Sequence, residues 1–247
     1  MVLPVHLSRP RHPRGVPVSG TIRIGHNAAA AILNTIIQHD SDAVVVGWKG
    51  RRTHRRDAVL GSNVDRIVTE AGGDVFVEKI GMDADGVVDP ILLPTAGGPH
   101  AALAIETAAA IAGETGATLH PVYVRAPGAS EEAREYAQEM LDTARDSVPG
   151  VDCETILLED DDVVGALVAE SANHDLTIIG ATREGVFQKF LFGTIPETVA
   201  ERAGSTVIMT KRSLDVGTRL QQSVDKLQER ATGRVNPLEE DDIDPPS

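Results

Sequence analysis

The chain has 247 residues, enough to bury one large α/β core or two modest ones without disulfide or metal staples. Acidic residues number 37 against 23 lysines and arginines, a formal net charge of −14, and aromatics make up 3%, which argues against a general binder of nucleic acid or of anionic membrane. A hydrophobic fraction of 41% rules out wholesale disorder, no uncharged apolar run reaches the roughly 18 residues of a spanning helix, and the single Cys153 excludes an intramolecular disulfide framework.

The first residues, Met1-Val2-Leu3-Pro4-Val5-His6-Leu7, lack the charged start and cleavage pattern of a signal peptide, so a cytoplasmic protein is expected. Val2 to His6 reads as a short strand. Val16 to Ile24 reads as a further strand, Ala28 to Ile37 as a helix, Ala43 to Val46 as a strand, Val64 to Ala71 as a helix and Val75 to Val77 as a strand. Between Gly47 and Gly61 lies a basic loop with Lys49, Arg51, Arg52, His54, Arg55 and Arg56. It reads either as a salt-tolerant solvated face or as a place for an anion or acidic partner.

From Ile91 onward, a strand over Ile91 to Thr95 is followed by an alanine-rich helix from about His100 that stops near Gly113 and Gly116. Leu119 to Val124 is a second strand, and Ser130 caps a helix with Glu131 and Glu132 in its first turn. Cys153 to Leu158 is a third strand, and Asp160, Asp161 and Asp162 mark the start of the next helix rather than a cation site. Leu176 to Ile179 is a fourth strand, a helix follows Gly193, and Thr206 to Met209 is a fifth. Val216, Leu220, Val224, Leu227 and Ala231 have the spacing of an amphipathic helix, and an acidic tail ends the chain. His39, His100, His120 and His174 occur singly and read as packing or surface residues, and Cys153 as a buried inert thiol.

Two stretches repeat at a period of about 132 residues. His39-Asp40-Ser41-Asp42-Ala43-Val44-Val45-Val46-Gly47 is echoed by His174-Asp175-Leu176-Thr177-Ile178-Ile179-Gly180, Gly61-Ser62 by Gly193-Thr194, and Ala71 to Lys79 by Ala203 to Lys211. The expected organisation is a partial domain over 1–81, lacking its first third, a complete domain over 89–212, and a C-terminal helix with an acidic disordered tail over 213–247. The partial unit is either a degenerate module or a fragment of a longer chain, and it should need its neighbour for stability.

A glycine after strand four, a loop, and Gly-Ser or Gly-Thr opening the next helix resemble the universal stress protein family, whose nucleotide-binding members have Gly-x2-Gly-x9-Gly-(Ser/Thr) there. The stretch from Gly180 to Glu197 is similar to the paired stress-protein domains at the cytoplasmic end of haloarchaeal amino-acid permeases. The composition points the same way: 20 Asp, 17 Glu and 18 Arg beside only 5 Lys suit hydration in concentrated salt, an extreme halophile being the expected source and an ordinary acidic cytosolic protein the alternative. The resemblance implies two adenine-nucleotide α-hydrolase-like, Rossmann-like α/β units with five-stranded parallel sheets flanked by helices, the first incomplete. They would pair through their fifth strands within the chain or in a homodimer.

The resemblance further implies ATP or AMP as ligand, with no metal beyond nucleotide-associated Mg. Pro94, Thr95, Val122, Ile179, Gly180, Gly185, Gly193, Thr194 and Ile195 would form the site in the second unit, and Gly47, Gly50, Gly61 and Ser62 its counterpart in the first. Glycines let backbone approach a phosphate and a helix N-terminus favours its charge, but the same glycines also make plain tight turns, and Ser62 and Thr194 plain helix caps. The departures from the family pattern are Ala96 where nucleotide binders end strand one in an aspartate, one extra residue in the first loop, and the middle glycine of the second loop displaced to Gly185. No phosphate-loop lysine, nucleophile elbow or zinc-binding helix motif occurs, so no catalytic residue is assigned. The expected function is a regulatory module serving an amino-acid transporter or a stress response, with a ligand-free interaction module as the alternative.

Overall fold

A computed structural model of the chain describes residues 17, 19–24, 26–50, 61–82, 84, 86–182 and 192–213. The first repeat supplies α1 (Ala28–Gln38), β1 (Ala43–Gly47), α2 (Ser62–Glu70) and β2 (Asp74–Lys79). The second supplies β3 (Ile91–Pro94), α3 (Gly98–Thr115), β4 (Leu119–Arg125), α4 (Glu131–Asp146), β5 (Ile156–Glu159), α5 (Val163–Ser171), β6 (Leu176–Gly180), α6 (Thr194–Arg202) and β7 (Thr206–Lys211). Local chemistry sets several starts. Asn27 accepts a hydrogen bond from the Ala30 N–H at 2.9 Å, Ser130 from Ala133 at 3.3 Å, and Asp162 from Gly165 at 2.8 Å, each satisfying an orphan donor of a first turn.

The strands join one seven-stranded sheet in the order β1-β2-β7-β6-β3-β4-β5. The two repeats therefore share one sheet. Within each repeat neighbouring strands run parallel, and the repeats meet where β2 and β7 pair antiparallel, with Val77 opposite Met209. That seam has an approximate twofold. The Lys79 ammonium donates to the Ala203 carbonyl at the end of α6, and the Lys211 ammonium to the Val68 carbonyl near the end of α2. The Gly81 N–H donates to Thr206 Oγ1 at 3.0 Å, and the Ser213 N–H to Asp74 Oδ1 at 2.8 Å. The second pair of contacts repeats at 132 residues in both donor and acceptor; in the first pair the lysines repeat at 132 while the accepting carbonyls of Val68 and Ala203 lie 135 apart.

The two faces are covered unequally. Val68 of α2, Leu167 of α5 and Val199 and Ala200 of α6 pack with Val77, Leu92, Val122, Ile179, Phe192 and Met209 on one face. On the other, Ala104, Ile105 and Ala108 of α3 and Ala144 of α4 cover Ile91, Leu93 and Ile178. Full burial of side chains such as Leu93 and Ile178 contributes about 1.5–3 kcal/mol each. No described helix covers that second face over β1, so Val45 is 68% exposed where its repeat counterpart Ile178 is fully buried.

Several expectations need correcting. Among residues 17 and 19–24 there is no strand: they have no ladder partner, and an extended segment alone leaves its backbone groups unpaired. Ser62 and Thr194 are not caps. Gly61 and Gly193 occupy those positions, at φ +105° and +96°, and the hydroxyl residues are the first of the helix. His120 and His174 are not single: His120 Nδ1 lies 2.8 Å from His174 Nε2, and His174 Nδ1 lies 2.9 Å from the Glu170 carbonyl. Cys153 is half-buried, its thiol pKa pushed up by burial. The short apolar N-terminal run, the arginine-rich loop, Gly185 and everything after Ser213 lie outside the described residues.

Candidate functional site

Strand order fixes where a ligand could enter. From β3 the chain moves outward to β4 and β5, then crosses back to place β6 on the other side of β3, a topological switch point at whose carboxyl side open α/β sheets bind ligands. The β3–β6 pairing contains only Ile91 with Leu176 and Leu92 with Thr177, although β3 continues to Pro94 and β6 to Gly180. The two strands therefore part toward their carboxyl ends.

On the β3 side, Pro94 and Thr95 are buried, and the Thr95 N–H donates to the Val122 carbonyl at 3.0 Å. Ala96 follows, then Gly97 at φ +84°, the residue before α3. On the β6 side, Gly180 is fixed by packing: a Cβ there would lie 2.6 Å from the His100 carbonyl oxygen in the first turn of α3. Val122 and Ile179 are core residues, buried together against α5 and α6, and Ile195 packs half-buried on the same cluster. Gly193 combines its positive φ with a Cβ position 1.9 Å from Thr182 Oγ1, so both torsion and space demand glycine.

From that glycine α6 departs, with Thr194 and Ile195 in its first turn and no side-chain cap. Pro196, which has no N–H, comes next. Glu197, 2% exposed, accepts a hydrogen bond from the Phe192 N–H at 3.0 Å, so a carboxylate already sits at the positive end of α6.

The counterpart in the first repeat is open. Gly47 and Gly61 would meet nothing within 4 Å as alanines, and Gly50 adopts φ +80°. Trp48, whose N–H donates to the Glu78 carbonyl at 2.7 Å, is buried where the second repeat has Ala181. Gly47 ends β1, Gly50 follows it, and Gly61 and Ser62 start α2, so this set is separated by β2, β7 and β6 from Pro94 and Thr95, and the two predicted sets do not converge.

The chain matches the family model described as "Universal stress protein family" over residues 7–79 and 88–211. It belongs to the universal stress protein family. Its fold is similar to that of a universal stress protein from Archaeoglobus fulgidus, at 19% identity and a TM-score of 0.54, covering 75% of this chain and 65% of that one. It is also similar to a functionally unknown protein from Pseudomonas aeruginosa, at 17% identity and a TM-score of 0.56, covering 82% and 74%. A putative universal stress protein from another Pseudomonas aeruginosa strain is similar at 17% identity and 0.56, covering 84% and 74%. No curated protein matches the sequence.

Within this universal stress protein a cavity of about 170 Å³ lies elsewhere, between the repeats, bordered by Thr69, Val75, His100, Lys211 and Arg212. Its charges are already used: Arg212 binds Glu106 and approaches Asp74, and Lys211 holds the end of α2. Among the described residues no group of three or more His, Cys, Asp or Glu could hold a metal ion, and no helix is long and apolar enough to cross a membrane. Arg125 and Tyr123, at the carboxyl end of β4, carry no signal of their position in the sequence. An arginine at a strand end reads as solvent-facing, yet Arg125 is 7% exposed and paired with Glu159.

Proposed function

We propose that residues 88–211 form a regulatory module that binds an adenine nucleotide, ATP or AMP, at the carboxyl ends of β3 and β6. The observation that carries this is the parting of those strands after Leu92 and Thr177, with the first turn of α6 departing from the same edge. Thr95 and Ala96 would border the nucleoside, while the backbone N–H groups of Thr194 and Ile195 would face the phosphates. Any Mg would arrive with the nucleotide. We read the module as a binder rather than a catalyst, cytoplasmic and adapted to high salt, and a membrane transporter for amino acids is the partner we favour. Ligand would act by unequal affinity for two states of that assembly.

Ala96, the buried Glu197 carboxylate and the tight contact of α3 on Gly180 favour a second reading, a ligand-free interaction module that pairs with a partner or with a second copy. Calorimetric titration of the full chain with ATP and AMP in molar salt separates the two. Heat and a thermal shift, weakened about tenfold by a Thr194→Pro substitution that removes one N–H donor, are expected for the first. Neither nucleotide giving heat or a shift establishes the second.

A further inference from the structure

Side chains on β4 alternate between the two sheet faces, so Tyr123 and Arg125 stand next to one another on the face covered by α4. Both are almost fully buried, at 1% and 7% exposure. The Arg125 guanidinium spends Nη2 on the Glu159 carboxylate, while its Nε and Nη1 are buried without a hydrogen-bond partner. The Tyr123 hydroxyl is likewise buried without a partner. Burial pushes its pKa well up, so it stays an O–H donor, and its ring meets Tyr136 edge-on at 6.2 Å.

Every one of these unsatisfied atoms can donate, and the missing partner is therefore an acceptor. A desolvated guanidinium with idle N–H groups on both sides of Nη2 asks for an oxyanion, which it can grip in bidentate fashion once Glu159 gives up Nη2. Glu159 is the replaceable member of the pair: its side chain is 50% exposed, so it can turn to water as an incoming anion takes its place. The position is close to the nucleotide site. Gly97, which follows Ala96, has its Cβ position 3.9 Å from the hydroxyl of Tyr136, the ring that meets Tyr123.

We infer that Arg125, with the Tyr123 hydroxyl, receives a second anionic group of the ligand, so that the preferred ligand carries phosphate at both ends of its ribose. This deepens the nucleotide reading and rests on it. One phosphate faces the start of α6 after β6 and the other meets Arg125 on β4. The two strands flank β3, about 10 Å apart at the usual strand spacing, with α6 and Arg125 on opposite faces, so the ligand reaches across the carboxyl end of the sheet, which a nucleoside bisphosphate does and a lone phosphate does not.

The test is calorimetry on the full chain in molar salt with adenosine 3′,5′-bisphosphate, AMP and inorganic phosphate, using wild type, Arg125→Gln, Glu159→Gln and Tyr123→Phe. The bisphosphate should bind about tenfold or more tighter than AMP, as a charge-assisted hydrogen-bonded pair implies. Glu159→Gln should raise bisphosphate affinity and leave AMP unchanged. Tyr123→Phe should lower the preference, and Arg125→Gln should erase it. If Arg125→Gln does not fold, the Glu159→Gln result decides. Equal binding of AMP and bisphosphate, indifferent to Glu159, overturns this inference and leaves the nucleotide reading intact. Inorganic phosphate matching the bisphosphate overturns the two-anchor assignment, and failure of every nucleotide to bind overturns both readings.

Discussion

β1 and β6 carry nearly the same pattern, three or four apolar β-formers ending in glycine, yet β6 is buried at every residue while β1 alternates between half-buried and exposed. The difference lies in the neighbours. β6 has β3 on one edge and α3 over one face, whereas β1 is the last strand of the sheet and no described helix covers Val45. The same motif therefore builds a closed crevice in one repeat and an open edge in the other, and equivalent glycines do different work.

The largest effect that could break this comparison comes from adding one methyl to each glycine. Gly180→Ala drives a Cβ to 2.6 Å from the His100 carbonyl oxygen, a backbone atom that cannot swing aside. We expect a loss of about 2–4 kcal/mol in denaturant unfolding, as for overpacking against a fixed neighbour. Gly47→Ala meets nothing and should fall within about 0.5 kcal/mol of wild type. Equal costs at the two positions would show that α3 does not press on β6.

The helix-start glycines separate torsion from space. Gly61 and Gly193 share a positive φ, so alanine at either should cost about 1–2 kcal/mol. At Gly193 the added Cβ also meets Thr182 Oγ1, and Gly193→Ala should exceed Gly61→Ala by about 1 kcal/mol or more. A Thr182→Gly background, by emptying that contact, should remove the excess and leave the torsional part. If the excess survives, another neighbour supplies it.

Much of this fold could be read from residue types. Short β-branched runs gave the strands, and Ser130 and Asp162 announced their helices because a capping oxygen is a local signal. What escaped depends on partners distant in sequence. Val16 to Ile24 has a strand's composition, but residues 17 and 19–24 have no ladder neighbour; the pairing of β2 with β7, which no local pattern encodes, is expected only through the family resemblance. In the candidate site, Gly193 and Thr194 were legible through their spacing. Arg125 was not, because its burial is created by α4 and Glu159, and the His120–His174 contact joins residues 54 positions apart.

The seam offers a sharper check of the symmetry between the repeats. Lys79 and Lys211 each hold the last turn of the helix belonging to the other repeat. Replacing either by methionine keeps the stem's packing and removes one charge-assisted hydrogen bond, for a loss of about 1–2 kcal/mol. If the twofold is energetically real the two losses should match in urea unfolding. A loss at Lys211 only would mean that the first repeat leans on the second without returning the support.

The smallest expected effect concerns the face remote from the crevice, where the second repeat has a histidine pair and the first has nothing comparable among the described residues. Burial lowers the His174 pKa below its ordinary 6.5, opposed by its bond to the Glu170 carbonyl, with His120 lowering it further and the Glu170 and Asp175 carboxylates raising it. The unfolded chain thus takes up a proton just below pH 6.5 that the folded chain refuses, so this contribution to stability is complete above that pH and is lost as the pH falls toward the folded value. One such group bends the stability curve by less than about 1.4 kcal/mol per pH unit. His174→Gln, which keeps a donor and an acceptor without titrating, should flatten the curve between pH 5 and 6.5 relative to wild type. A curve that His174→Gln leaves unchanged in that window would assign the pH dependence to the carboxylates instead.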